Sequence, residues 1–103
     1  MDEPLKQQIE SLINSKKVFL FMKGTPENPA CGFSMRITQI LQNLNVEFDS
    51  FDIFSNQEVR QGIKDYSNWP TIPQLFINGK FIGGCDIVEQ LQQSGELQKL
   101  IAK

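Results

Sequence analysis

The chain has 103 residues, 40% of them hydrophobic, with a formal net charge of −2 and a pI near 5.0, the profile of one globular domain with its own core and too short for two. That charge argues against a surface built for nucleic acid or anionic lipid, and the longest apolar run, Val18 to Met22, falls far short of the ~20 residues of a membrane span. With no histidine and two cysteines, the chain cannot build Ser-His or Cys-His pairs, His-ligated zinc or a self-contained centre of four soft ligands.

Leu5, Ile9, Leu12 and Ile13 repeat at the spacing of one apolar helix face and predict an amphipathic helix from Glu3 to Ser15. Val18 to Met22, a continuous apolar run, predicts a strand buried on both faces. Gly24, Pro26 and Pro29 mark a loop, and Ile37, Ile40, Leu41 and Leu44 then predict a second helix of about a dozen residues, with Cys31 directly ahead of it. Val46 to Phe51 alternates apolar and polar residues and predicts a strand, completing a parallel βαβ unit with a right-handed crossover.

Ser55 and Glu58 have capping-box spacing and predict a third helix with Val59, Ile63 and Tyr66 on its core face. After Pro70 and Pro73, the runs Gln74 to Ile77 and Lys80 to Ile82 flank Asn78-Gly79, the two-residue signal of a type I′ hairpin. Two short helices follow Gly83-Gly84, separated at Ser94-Gly95. A parallel pair extended by an antiparallel hairpin, with helices on both faces, is a thioredoxin-like α/β arrangement.

The chemistry-bearing residues converge on one groove of that topology. Cys31 stands before a helix N-terminus, where free N–H groups and the macrodipole favour a thiolate, although a small buried thiol is the ordinary alternative. Its motif, Cys31-Gly32-Phe33-Ser34, puts serine where a C-x-x-C protein carries its second thiol. Lys23 opens the same loop and could supply a cation, or be an ordinary surface lysine. In Trp69-Pro70-Thr71-Ile72-Pro73-Gln74 the dipeptide leaves the isomer of Pro73 open, and Trp69 reads equally as packing and as ligand contact. Gly83-Gly84-Cys85-Asp86 has the layout of a backbone nest for a carboxylate or phosphate; Asp86 would cap the helix or take a ligand ammonium, and Cys85 reads as a buried small residue.

Taken together, "KGTPENPACGFS" and "NWPTIPQLFINGKFIGGCDIV" resemble the monothiol glutaredoxins of the CGFS class, from about Lys17 to the C-terminus. The resemblance is to single-domain members, or to one module of a larger protein. It implies a glutaredoxin fold, with a four-stranded mixed sheet flanked by helices on both faces, and a glutathione site. In that site Lys23 and Arg60 hold the glycine carboxylate, and the backbone of Ile72, before a cis Pro73, pairs with the cysteinyl unit. Gly84, Cys85 and Asp86 take the γ-glutamyl end. Arg60 has no signal of its own in the pattern.

The family is best known for a [2Fe-2S] cluster bridging two protomers, each giving one cysteine, here Cys31, and one glutathione. Ligand counting demands the same outside thiols, since one Cys31 per chain supplies half of what two subunits need. The function implied is a cluster carrier in iron-sulfur biogenesis and iron homeostasis, monomeric when apo and dimeric when loaded, with BolA-like proteins and apo iron-sulfur proteins as partners. The alternative is a monothiol glutathione-disulfide oxidoreductase, with Cys85 resolving Cys31 as a minor variant. The N-terminus, "MDEPLKQQ", lacks the layout of a signal peptide or presequence and suggests a cytoplasmic protein, with a mature mitochondrial or plastid form as the alternative.

Overall fold

A computed structural model describes all residues, Met1 to Lys103. The first helix, α1 (Glu3–Ile13), is capped by Asp2, whose Oδ1 accepts the Leu5 N–H at 2.9 Å. It stops two residues before the predicted end because Asn14 and Ser15 donate their side chains back to the carbonyls of Glu10 and Leu12. Strand β1 (Val18–Met22) follows, buried along its whole length. The predicted loop contains two short strands, β2 (Gly24–Thr25) and β3 (Asn28–Pro29), paired antiparallel.

Helix α2 (Gly32–Asn43) begins directly after Cys31, as predicted. Strand β4 (Asp49–Asp52) starts three residues later than the predicted Val46. Val46 is taken up by the end of α2 instead: Asn45 turns left-handed at φ 56°, and the Val46 N–H donates to the Leu41 carbonyl at 3.1 Å. A 3₁₀ turn (Ile53–Ser55) leads into α3 (Gln57–Ser67). Its cap is Asn56 and not the predicted Ser55, since Asn56 Oδ1 accepts the N–H groups of Glu58 and Val59 at 3.0 and 3.1 Å. The Ser55 hydroxyl donates to the Asp52 carbonyl within the 3₁₀ turn.

The hairpin β5 (Gln74–Ile77) and β6 (Lys80–Gly83) turns at Asn78-Gly79 with φ 53° and 77°, as the type I′ signal requires. The chain ends with α4 (Cys85–Ser94) and α5 (Glu96–Ala102). The sheet order is β4-β1-β5-β6, with β4 parallel to β1 and the remaining pairs antiparallel.

Alternation along β1 divides the core in two. Val18, Leu20 and Met22 join Leu75 and Ile77 under Ile37 and Leu41 of α2, Val88 of α4 and Leu97 of α5. Phe19 and Phe21 join Phe76 under Ile9 and Ile13 of α1 and Val59 and Ile63 of α3. Both faces of the central strands are therefore covered, which is why β1 reads as an unbroken apolar run. Tyr66 only half joins its predicted face: it is partly buried, with its hydroxyl 3.4 Å from Glu10 Oε2.

Candidate functional site

Cys31 is the N-cap of α2, extended at φ −153°, and its sulfur takes the place of a capping oxygen by accepting the Ser34 N–H at 3.4 Å. Ser34 is fully buried, and its Oγ lies 3.3 Å from Cys31 Sγ. The same Oγ accepts the Lys23 N–H at 3.1 Å, so its own proton is left for the sulfur. Partial burial alone would raise the Cys31 pKa; the hydrogen bond from the Ser34 side chain, the Ser34 and Phe33 N–H groups and the charge of Lys23 outweigh it and hold the thiol below its ordinary 9.0. The motif thus favours the thiolate form of a cysteine that is partly open to solvent, with the Ser34 hydroxyl 3.3 Å from its sulfur.

A groove of about 390 Å³ runs beside this turn. Lys23, Ile72, Pro73, Gly84, Cys85 and Asp86, and Arg60, which only the family resemblance implied, all line it. Cys31 itself is not among the lining residues; Lys23 and Phe33, which flank it in the chain, are. The Ile72-Pro73 bond is cis. Neither Lys23 nor Arg60 forms an ion pair with a carboxylate of the chain. Asp86 is exposed in the first turn of α4 and does not cap it: the N-cap is Gly84, with no side-chain bond, so the leading N–H groups of α4 are not taken by a cap.

Lys64, Trp69, Pro70, Thr71 and Ile87 complete the groove. Lys64 lies one helical turn beyond Arg60, a spacing visible in the sequence once Arg60 is chosen. Trp69 is both packing residue and groove wall. Its ring sits 5.7 Å from that of Phe81, while its Nε1 is buried and has no partner within the chain. A Cβ on Gly84 would lie 3.3 Å from that nitrogen and 3.4 Å from the Pro73 carbonyl oxygen, so glycine keeps this end of the groove open.

Cys85 is a different kind of thiol. It is buried at 7% exposure, and its sulfur faces Glu89 Oε1 at 3.8 Å, an oxygen that also accepts from Arg36 at 3.0 Å. Burial and the Glu89 charge push its pKa up, against the opposing effect of Arg36. Two thiols of one chain are thus set in opposite directions by their surroundings. The sequence gives no sign of this contrast, because Arg36 and Glu89 lie 53 positions apart.

The Glutaredoxin family model matches residues 18–82. Monothiol glutaredoxin-S14, chloroplastic, from Arabidopsis thaliana is 56% identical over 99 residues, 96% of this chain and 57% of that protein. An uncharacterized monothiol glutaredoxin ycf64-like protein of Synechocystis is 50% identical over 101 residues, 98% of this chain and 94% of that one. Several curated relatives are much longer: the chain spans 31% of Glutaredoxin 3 from Danio rerio. Among solved structures, reduced poplar apo GrxS14 agrees with a TM-score of 0.85 at 51% identity, covering 95% of this chain and 90% of that one. The buckwheat glutaredoxin-glutathione complex agrees at 0.86 with 25% identity, covering 99% and 94%.

The fold is thioredoxin-like and the chain belongs to the glutaredoxin family. Within it the type is monothiol: Ser34 stands where a C-x-x-C motif carries its second cysteine and is committed to the Cys31 sulfur and the Lys23 backbone.

Proposed function

We propose that this chain is a single glutaredoxin domain that binds glutathione in the groove and carries a [2Fe-2S] cluster as cargo, for delivery to apo iron-sulfur proteins. The observation that carries the reading is the Cys31 thiol, held below its ordinary pKa, beside a groove lined by three cations with no carboxylate partner, Lys23, Arg60 and Lys64, and by an uncapped helix N-terminus. Glutathione presents a carboxylate at each end, with a thiol between them. Lys23 and Arg60 suit the glycine carboxylate, the N–H groups of Gly84, Cys85 and Asp86 the γ-glutamyl carboxylate, and the Asp86 side chain the adjacent ammonium. The backbone of Ile72, before Pro73, pairs with the cysteinyl unit. The buckwheat relative is a glutathione complex, which supports the ligand class.

The cluster is what the resemblance to CGFS glutaredoxins implies, and the donor set is consistent with it. Four thiolates hold a [2Fe-2S] unit, and the chain offers one, because Cys85 is buried against a carboxylate. Two chains and two glutathiones make up the four, so the loaded form is a homodimer and the apo form a monomer. Half the ligands then sit on exchangeable small molecules, which suits transfer to BolA-like partners and apo-proteins. Anaerobic reconstitution with iron, sulfide and glutathione should give a coloured dimer, and Cys31→Ser should give neither colour nor dimer. A Cys31→Ser protein that loads normally would refute the assignment.

A second reading rests on the lowered pKa of Cys31. The thiolate can attack the glutathione sulfur of a mixed disulfide, forming the Cys31–glutathione disulfide as the substrate thiolate leaves. A second glutathione thiolate then attacks that disulfide, releasing oxidised glutathione and restoring Cys31. No thiol at position 34 is needed. Both readings place the protein in the cytoplasm or in an organelle that supplies reduced glutathione.

A further inference from the structure

Asp52 closes β4 with a carboxylate that joins two separate segments. One oxygen, Oδ1, accepts the Gly24 N–H at 3.0 Å and the Phe54 N–H at 3.0 Å. The second bond alone would be an ordinary cap of the 3₁₀ turn. The first reaches across 28 residues to the segment that carries Lys23. On the other side, the Phe54 ring lies 5.6 Å from the guanidinium carbon of Arg60.

Phe54 is 51% exposed and belongs to neither core cluster, an unusual place for a large apolar ring. A guanidinium stacked on a ring is held by its face, which leaves its N–H edge free for the two oxygens of a carboxylate. Arg60 has no acidic partner of its own, so the ring is the one side-chain restraint seen on it. A single Asp52 oxygen therefore links the segment bearing one groove cation to the turn bearing the support of the other.

We propose that Asp52 and Phe54 are positioning residues for a two-cation carboxylate clamp: Asp52 fixes the Lys23 segment against the 3₁₀ turn, and the Phe54 ring orients Arg60 toward the groove. The inference rests on the reading that Lys23 and Arg60 hold the glycine carboxylate of glutathione. It adds residues that touch no ligand and act through the ones that do.

The test is the affinity ratio of the full chain for glutathione over its glycine monoethyl ester, measured by calorimetry, because the ester lacks the charge the clamp holds. Phe54→Leu should lower the ratio about two- to fivefold, the size of an exposed cation–π contact, with affinity for the ester unchanged. Phe54→Tyr should keep the wild-type ratio, and Asp52→Ala should lower it at least as far as Phe54→Leu. If Arg60→Gln lowers the ratio while Phe54→Leu leaves it alone, the positioning role is wrong. Equal losses for both ligands in Phe54→Leu would also overturn it, since they would report general damage to the fold. If Arg60→Gln leaves the ratio unchanged, the carboxylate assignment itself fails, and the positioning role with it.

Discussion

Ser34 Oγ stands 3.3 Å from Cys31 Sγ and takes the Lys23 N–H on its other side. The residue that replaces a resolving thiol is thus a fixed hydrogen-bond relay, buried and oriented from behind by the end of β1. Ser34→Ala removes the donor that most strongly lowers the Cys31 pKa and strands the Lys23 N–H. The pH at which Cys31 becomes half-reactive toward iodoacetamide should rise toward the ordinary thiol value of 9.0, with a loss of about 1–3 kcal/mol in stability for the stranded donor. A pH profile that does not move would mean that the backbone N–H groups and the charge of Lys23 lower the pKa without the Ser34 hydroxyl.

Cys85 should lag behind Cys31 in alkylation, and Glu89 should be a main reason. Burial and the carboxylate both favour the protonated thiol, so Glu89→Gln removes one raising influence and leaves Arg36, whose charge acts the other way. The pKa of Cys85 should fall and its labelling, followed by mass spectrometry of the peptide, should quicken severalfold, while Cys31 labels as before. Unchanged labelling of Cys85 would show that burial alone protects it.

Gly84→Ala places a methyl 3.3 Å from Trp69 Nε1 and 3.4 Å from the Pro73 carbonyl oxygen, where both must give way. Glutathione binding should weaken on the order of tenfold, toward the lower end of the ~1–3 kcal/mol that an extra methyl costs in filled space. A variant that binds as tightly as wild type would move the ligand away from this end.

The two candidate caps of α3 can be separated by melting. Asn56→Ala loses an oxygen that accepts two N–H groups and should cost about 1 kcal/mol, roughly 4–8 °C for a domain of this size. Ser55→Ala, which loses one exposed hydroxyl contact, should cost much less. The reverse order would restore the capping box.

Elements with strong periodicity or distinctive turn chemistry were legible in the sequence, and those decided by competition for hydrogen bonds were not. β1 declared itself because both its faces are covered, and Asn78-Gly79 because few residues accept two successive positive φ angles. Val46 misled because an alternating pattern does not say whether an N–H goes to a strand or to the preceding helix. Ser55 misled because Asn56, also a good cap, stands one position nearer the helix. In the site, Cys31, Lys23 and the Gly84 nest could be found by their local chemistry. Arg60 entered only through family resemblance, and Asp52 and Phe54 had no sequence signal, since what marks them is contact with segments distant in the chain or with Arg60 one turn into the next helix.

The central claim is that one Cys31 per chain needs glutathione to hold a cluster. The most direct measurement is anaerobic reconstitution with and without glutathione, reading the visible spectrum, the solution mass and the iron, sulfide and glutathione content together. The account predicts a coloured dimer with two irons, two sulfides and two glutathiones, formed only when glutathione is present. A cluster that loads equally well without added thiol, or a colourless monomer under both conditions, would contradict it.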